Sequence, residues 1–456
     1  MHFLCFEGRI VLDTRAEKSK NAFMYILYNI ILFVAALIAA PYFLLKIIFT
    51  GKYRNSFIQK LGGKQKAILG RLKNKPRVWI HAVSVGEVTA AAPIVASLKK
   101  KRPDVDVIFS TSTETGQDMA RKFIKDASAL IYFPLDFPPV VGKMIKSAAP
   151  DVFVLVETEL WPNFLRGCDR RGISALMVNG RISPRSYRRY RLTRFLWKGV
   201  LKDLDFAGMI SSVDATRLES IGMDPAKITV LGNAKYDSLA SMVSPVLQEE
   251  MARRLNVTAQ EKFFVAGSTH PGEEKIIIHV YRELLKTHPD LKLILVPRHI
   301  ERTGEVCDLL QQAGLNDVIM LSRINGGQQR QGEKVIVVDV IGELFKIYSL
   351  ASVVYCGGSL VPKGGQNILE AAAWGKVIFY GPSMEDFSAE KDLLEEAGCG
   401  MTIRSEEELL NGIRRLLADP EEMKSRGEKG RSVVLDNIGA SARYADLISR
   451  YVEADV

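Results

Sequence analysis

Val78-Trp79-Ile80-His81-Ala82-Val83-Ser84-Val85-Gly86-Glu87 reads as a buried strand that runs into an acid. The apolar run is continuous instead of alternating, which is the pattern of a parallel strand covered on both faces. Val88 to Lys101 follows as an alanine-rich helix. A glycine loop between strand and helix is where backbone N–H groups and the helix dipole attract an anion. A carboxylate at that spot repels phosphate. Glu87 therefore has two readings: it caps the helix, or it is a positioned base.

Outward from this unit the pattern repeats. Strands are predicted at Val105–Phe109, Ala129–Phe133, Val152–Val156, Ser174–Val178, Phe206–Ile210 and Ile228–Leu231, separated by amphipathic helices. Ser238 to Asn256 reads as a polar linker helix. A second series follows at Phe263–Gly267, Leu293–Val296, Val318–Leu321, Val335–Val338, Val353–Cys356, Val377–Tyr380 and Gly400–Ile403. The fold class is α/β, with two Rossmann-like, doubly wound domains over 78–237 and 263–430. Residues 238–262 link them, and 431–456 reads as one closing helix. Domains of this kind are expected to face a cleft at the carboxyl ends of their strands, where ligands bind.

The chain carries a net charge of +10 over 456 residues, unevenly distributed. The segment 46–77 holds ten Lys/Arg and no acid, which equals the whole excess. Before it, 22–45 is an uncharged, mostly apolar run. At about 1.5 Å per residue it reaches roughly 36 Å, against a hydrocarbon core of about 30 Å. With Tyr25, Tyr28 and Tyr42 near its ends, it is predicted to be a transmembrane anchor whose basic flank keeps the body in the cytoplasm. The competing reading is a signal peptide, against which stand Pro41 and the basic block. Residues 1–21 form an extension without fold signal. Five scattered cysteines without a Cys-x-x-Cys pair fit a reducing compartment and argue against structural zinc.

Several loops carry candidate chemistry. In the second half these are Pro297-Arg298-His299, Ile341-Gly342-Glu343, and Gly357-Gly358-Ser359 followed by Lys363-Gly364-Gly365-Gln366-Asn367-Ile368-Leu369-Glu370. Glycines let backbone approach a ligand, and a helix start near Gly365 is expected to offer N–H groups to a phosphate. Asn367 and Glu370, three apart, share a helical face. A carboxylate there can accept both hydrogen bonds of a ribose diol, or it is a solvated Glu behind a glycine turn. In the first half, Glu157-Thr158-Glu159-Leu160-Trp161-Pro162-Asn163 places two acids at a strand end. Lys235 follows the last first-half strand. Arg181 to Lys198 has seven Lys/Arg and no acid, interleaved with aromatics. It reads as a membrane or phosphorylated-lipid surface (Arg181, Arg185, Arg188, Arg189) more readily than a nucleic-acid site. Asp104-Val105-Asp106 and Asp203-Leu204-Asp205 precede strands, away from the cleft edge. His81, His270 and His299 are too dispersed for a metal. There is no Gly-x-x-x-x-Gly-Lys-Ser/Thr loop and no nucleophile elbow around Ser84.

Together these motifs, with Gly267-Ser268-Thr269-His270-Pro271-Gly272-Glu273-Glu274, resemble the Kdo (3-deoxy-D-manno-octulosonic acid) transferases of lipopolysaccharide assembly, which have the GT-B fold. The resemblance implies inverting, metal-independent transfer of Kdo from CMP-Kdo to the glucosamine disaccharide of the lipid A precursor at the bacterial inner membrane, with no cofactor. It makes Glu87 the base and Glu157 and Lys235 transition-state stabilisers. CMP is implied at Pro297, Arg298, Ile341, Gly342, Glu343, Asn367, Ile368, Leu369 and Glu370. Ile300 and Asp386 depart from the family pattern, as does the N-terminal extension. Two rivals are a GT-B enzyme using a UDP-sugar and a non-catalytic inner-leaflet lipid-binding protein.

Overall fold

The structure, a computed structural model, describes the chain apart from residues 1–23, 40, 42–48, 50–53, 64, 73–74, 259 and 455–456. The described residues form two compact units. One holds the chain up to Ser238 together with Gly439 onward, and the other is Leu239–Ile438.

The first unit is built on seven strands: β1 (Arg77–His81), β2 (Asp106–Thr111), β3 (Ala129–Tyr132), β4 (Val152–Val156), β5 (Ser174–Gly180), β6 (Phe206–Met209) and β7 (Ile228–Val230). They lie in the order β3-β2-β1-β4-β5-β6-β7, with every pairing parallel. Val78 and Ile80 face one core and Trp79 the other, all three fully buried. Trp79, Phe133, Phe153 and Phe164 form an aromatic cluster of edge-on, tilted and, for Phe133–Phe153, stacked pairs, with ring centroids 4.5–6.2 Å apart.

The second unit repeats the plan with β8 (Lys262–Thr269), β9 (Leu291–Pro297), β10 (Val318–Met320), β11 (Val335–Val337), β12 (Val353–Cys356), β13 (Val377–Tyr380) and β14 (Gly400–Thr402). Their order is β10-β11-β9-β8-β12-β13-β14, again all parallel. Each sheet therefore has one switch point, between β1 and β4 in the first and between β8 and β12 in the second. There the loops that follow two adjacent strands diverge and leave a crevice.

Two helical expectations change. The polar stretch read as one linker helix is two, Lys235–Met242 and Pro245–Arg254. The tail from 431, read as a single helix, is also divided. Pro420–Asp436 belongs to the second unit, and Ala440–Ala454 packs on the first. The break falls at Gly439, whose φ of 94° suits glycine. Asp237 caps the new helix by accepting the Gly439 N–H at 2.8 Å. Buried Tyr444 then donates its hydroxyl to the Gly232 carbonyl at 2.8 Å.

The expected anchor, 22–45, lies partly outside the described residues, and the extension 1–21 lies wholly outside them. Its described part is a helix over 24–39. No helix among the described residues is long and apolar enough to cross a membrane, so the spanning segment is not supported. The root of this helix is held by polar contacts. Tyr25 bonds Asp203, Tyr28 donates to Asp136 at 2.9 Å, and the amides of Asn29 and Asn163 bond each other at 2.8 and 3.1 Å. Beyond Asn29, Ile30, Ile31, Phe33, Val34, Leu37 and Ile38 are exposed.

Candidate active site

The switch point of the first sheet gathers the acids. Glu87 stands in the first turn of the helix Val85–Lys101 that follows β1, and it is 7% exposed. Its Oε2 accepts the Val83 N–H at 2.6 Å, and its Oε1 accepts the Ser84 hydroxyl at 2.8 Å. The carboxylate thus ties down the loop that carries it, so capping and chemistry are compatible roles. Burial pushes Glu87 up to about 7, and neighbouring Glu157 adds to this. The Val83 and Ser84 donors and Lys235 pull the other way.

Glu157 follows β4 in the left-handed region, with φ 61°. A non-glycine residue held there stores strain of about 1–3 kcal/mol, a cost found mostly at functional positions. Lys235 Nζ donates to Glu157 Oε1 at 2.8 Å. The lysine is itself held in place. Asn179, also left-handed (φ 52°) at the end of β5, accepts the Ala234 N–H at 2.9 Å, and Asn233 Oδ1 accepts the Lys235 N–H at 3.0 Å.

Glu159 completes the group. Burial, then Glu87 and Glu157, push it up to about 7. Three carboxylates and one ammonium thus share a site in which Glu87 and Glu159 both titrate close to neutrality. Sequence reasoning quoted Glu159 without giving it a role, and it missed Asn179 and Asn233. The Asn-Gly pair at the end of β5 was a visible turn signal. His81 sits behind the site, stacked on Phe133 at 3.8 Å, with Nδ1 3.0 Å from Ser110 Oγ. Full burial pushes it down to about 3, so it is a neutral wall residue.

Arg185, Arg188 and Arg189 lie exposed on the helix Pro184–Leu192, which carries no buried residue. Arg181 joins this helix to β5, and its carbonyl bonds Thr158 in the acid loop. Leu192 and Phe195 beside it are 81% and 68% exposed.

In the second unit the glycine loop differs from expectation. Gly358, Ser359 and Leu360 do not present free amides. All three N–H groups are taken by the fully buried Glu273 at 2.8–3.0 Å, which also accepts from the His270 N–H and the Tyr355 hydroxyl. The Gly365 N–H is likewise spent on the Gly358 carbonyl at 2.9 Å. The loop is a carboxylate-stapled turn and not an open phosphate cradle. Gly357 is required by close approach, because a Cβ there falls 2.4 Å from the Ser268 carbonyl oxygen.

The remaining second-unit residues are placed as follows. Asn367 donates to Glu370 Oε1 at 3.1 Å, and burial pushes Glu370 up to about 7 while Asn367 and Arg298 counter it. Arg298 is exposed and Pro297 is buried beneath it. His299 comes within 5.8 Å of the His270 ring. Ile341 is 82% exposed beside Gly342 (φ 87°), and Glu343 pairs with Arg254 at 2.9 Å and Lys346 at 3.4 Å. Ile368 and Leu369 point into the core, so only their backbone can serve a ligand.

Residues 55–238 match the family model described as 3-Deoxy-D-manno-octulosonic-acid transferase (kdotransferase). The chain is 31% identical over 380 residues to a 3-deoxy-D-manno-octulosonic acid transferase of Haemophilus influenzae, covering 83% of this chain and 88% of that one. It is 28% identical to the enzyme of the same name from Chlamydia trachomatis, covering 89% and 92%. Among solved structures, a glycosyltransferase from Rickettsia africae superposes with a TM-score of 0.56 at 15% identity, over 84% of this chain and 99% of that one, a likeness of fold. On the strength of the Haemophilus match, the chain belongs to the 3-deoxy-D-manno-octulosonic acid transferase family and is a glycosyltransferase.

Proposed function

We propose that the protein transfers Kdo from CMP-Kdo to the glucosamine disaccharide of the lipid A precursor, with inversion and without a bound metal. The observation that most supports this is the Glu87–Glu157–Glu159–Lys235 cluster at the first switch point. An acceptor hydroxyl is a poor nucleophile at neutral pH. Glu87, half deprotonated near 7, takes its proton as the oxygen bonds to the anomeric carbon of Kdo. The bond from that carbon to the phosphate oxygen breaks, and CMP leaves with the electron pair. Lys235, held by Glu157, meets negative charge developing in the transition state. Pro297, Arg298, Ile341, Gly342, Glu343 and Asn367 to Glu370 hold the nucleotide, with Glu370 on the ribose diol and Arg298 on the phosphate.

The acceptor is an anionic membrane glycolipid. The Arg181, Arg185, Arg188 and Arg189 surface with exposed Leu192 and Phe195 suits it. The exposed apolar side chains beyond Asn29 are clustered on one helix, and we place them against the cytoplasmic leaflet of the inner membrane. The direct test mixes CMP-Kdo, the acyl-disaccharide acceptor and the protein, then follows CMP release and product mass. CMP is expected to raise the melting temperature and UDP is not. Protection by UDP alone, or no CMP release, refutes the proposal.

The pH profile follows from the same cluster. Glu87 must be deprotonated to act, so kcat/KM is expected to rise tenfold per pH unit up to about 7 and level off above it. The limb belongs to the cluster as a whole, since Glu159 titrates in the same range. Lys235→Met removes a charge that lowers the Glu87 value, so its limb is expected to move to higher pH. A limb unmoved in that variant would show that Lys235 does not act on the base.

A further inference from the structure

Between the helix over 24–39 and the helices Pro138–Ala148 and Pro162–Asp169 lies a cavity of about 370 Å³ that the transfer reaction does not use. Its lining combines Ile26, Val141 and Gly142 with Arg166, Arg170 and Arg171. The Arg166 guanidinium lies over the Tyr25 ring at 4.0 Å, and Arg171 donates to the Gly167 carbonyl at 2.9 Å. None of the three arginines makes an ion pair among the described residues. The neighbouring acids are all engaged elsewhere or exposed: Asp203 bonds the Tyr25 hydroxyl and feels Arg166 and Arg170, Asp136 holds Tyr28 and Asn163, Asp205 takes the Ala175 N–H, and Asp169 is exposed. The lining itself therefore carries three arginines and no carboxylate, and no acid closes an ion pair with any of them among the described residues.

Ile26 belongs both to this cavity and to the exposed apolar stripe of the helix. Ile26, Ile30, Phe33 and Leu37 recur at the spacing of one helical face and are 56–59% exposed. A cationic recess with room for a small phosphate headgroup at the foot of an apolar stripe is the shape of an anionic lipid, with its head in the recess and its chains along the stripe. Guanidinium groups bind phosphate oxygens in bidentate fashion. The volume is near the lower end of ligand sites, roughly 300–1,000 Å³. That suits a phosphoglycerol head better than a phosphorylated disaccharide.

We infer that this cavity seats the phosphate head of an anionic bilayer phospholipid and thereby sets the height at which the first unit rides on the membrane. Native mass spectrometry of the full-length protein, offered equal phosphatidylglycerol and phosphatidylcholine in detergent, tests it. Wild type is expected to retain phosphatidylglycerol at least tenfold over phosphatidylcholine. Gly142→Leu fills the recess without changing charge. A Cβ at 142 meets nothing nearer than Arg171 at 3.6 Å, so the helix accommodates it.

Gly142→Leu, and separately Arg170→Gln with Arg171→Gln, are expected to cut that preference at least tenfold. Lys100→Gln with Lys125→Gln, two exposed positions elsewhere, is expected to leave it intact. Unchanged retention in Gly142→Leu overturns the inference. So does an equal loss in the Lys100/Lys125 control, which would mean diffuse charge attraction. Displacement by millimolar inorganic phosphate would point to a free-anion site, and displacement by the glycolipid acceptor to an acceptor site. Either result overturns the phospholipid assignment. None of these readouts depends on the transfer reaction.

Discussion

Glu87→Gln is expected to lower the turnover of Kdo transfer by ~10²–10⁴-fold, the usual share of a positioned general base. The amide keeps the shape of the side chain and can still accept the Val83 N–H, so the loop that Glu87 ties down stays in place. What it loses is the lone pair that removes the acceptor's proton. The stability consequence runs the other way. The folded-state value of Glu87 is raised to about 7, so its contribution is fully present below its ordinary value near 4.5 and is lost as pH rises through about 7. At pH 8 the wild type carries the cost of a buried carboxylate beside Glu157. Glu87→Gln removes it and is expected to melt at the same temperature or higher. CMP affinity, read by calorimetry, should be unchanged, because every residue assigned to the nucleotide lies in the other unit. Near-normal turnover would sink the base assignment, and lost CMP binding would show that the substitution reaches beyond the base.

Glu273→Ala should produce the largest loss of stability of any single change in the second unit. Five donors converge on this one fully buried carboxylate: the N–H groups of His270, Gly358, Ser359 and Leu360, and the Tyr355 hydroxyl. Removing it strands all of them without water. A loss of ~3–5 kcal/mol is expected, on the scale of breaking a buried charged network. For a unit of this size that corresponds to roughly 6–20 °C in melting temperature. Hydrogen exchange separates local from general damage. Amides of 353–370 are expected to lose protection while those of β1 and β4 keep theirs. A variant within about 1 kcal/mol of wild type would show that water or Gln366 replaces the carboxylate.

The fourteen strands were legible because strands covered on both faces are continuous apolar runs. Val152–Val156, Val353–Cys356 and Val377–Tyr380 appear with the bounds read from sequence. The divided tail was harder. Asn437 and Gly439 are turn residues, but the apolar periodicity continues past them, and nothing local says that Ala440–Ala454 packs on the unit that begins hundreds of residues earlier. The glycine loop was misread for a related reason. Gly357-Gly358-Ser359 has the same composition whether its amides are free or taken, and the residue that takes them, Glu273, is more than eighty positions away. Glu157 and Lys235 received catalytic roles only through the family resemblance, which also favoured the base over the cap for Glu87. The burial that pushes Glu87 and Glu159 toward 7 is a tertiary property that no spacing displays.

The hydrogen bond from the Gly439 amide to Asp237 has a topological meaning. The chain leaves the first unit just after Asp237 and re-enters it at Gly439, so departure and return share one doorway. Residues 239–438 are a guest inserted into a host whose last helix is made only after the guest has been synthesised. The host cannot cover its sheet with Ala440–Ala454 until the whole guest has been made. Because Asp237 accepts the amides of both Gly439 and Ser441 at this doorway, joining Ser238 directly to Gly439 should yield a self-contained host. Cutting the chain at 438 would instead leave that host uncapped, although the residues removed look like an appendage of the guest.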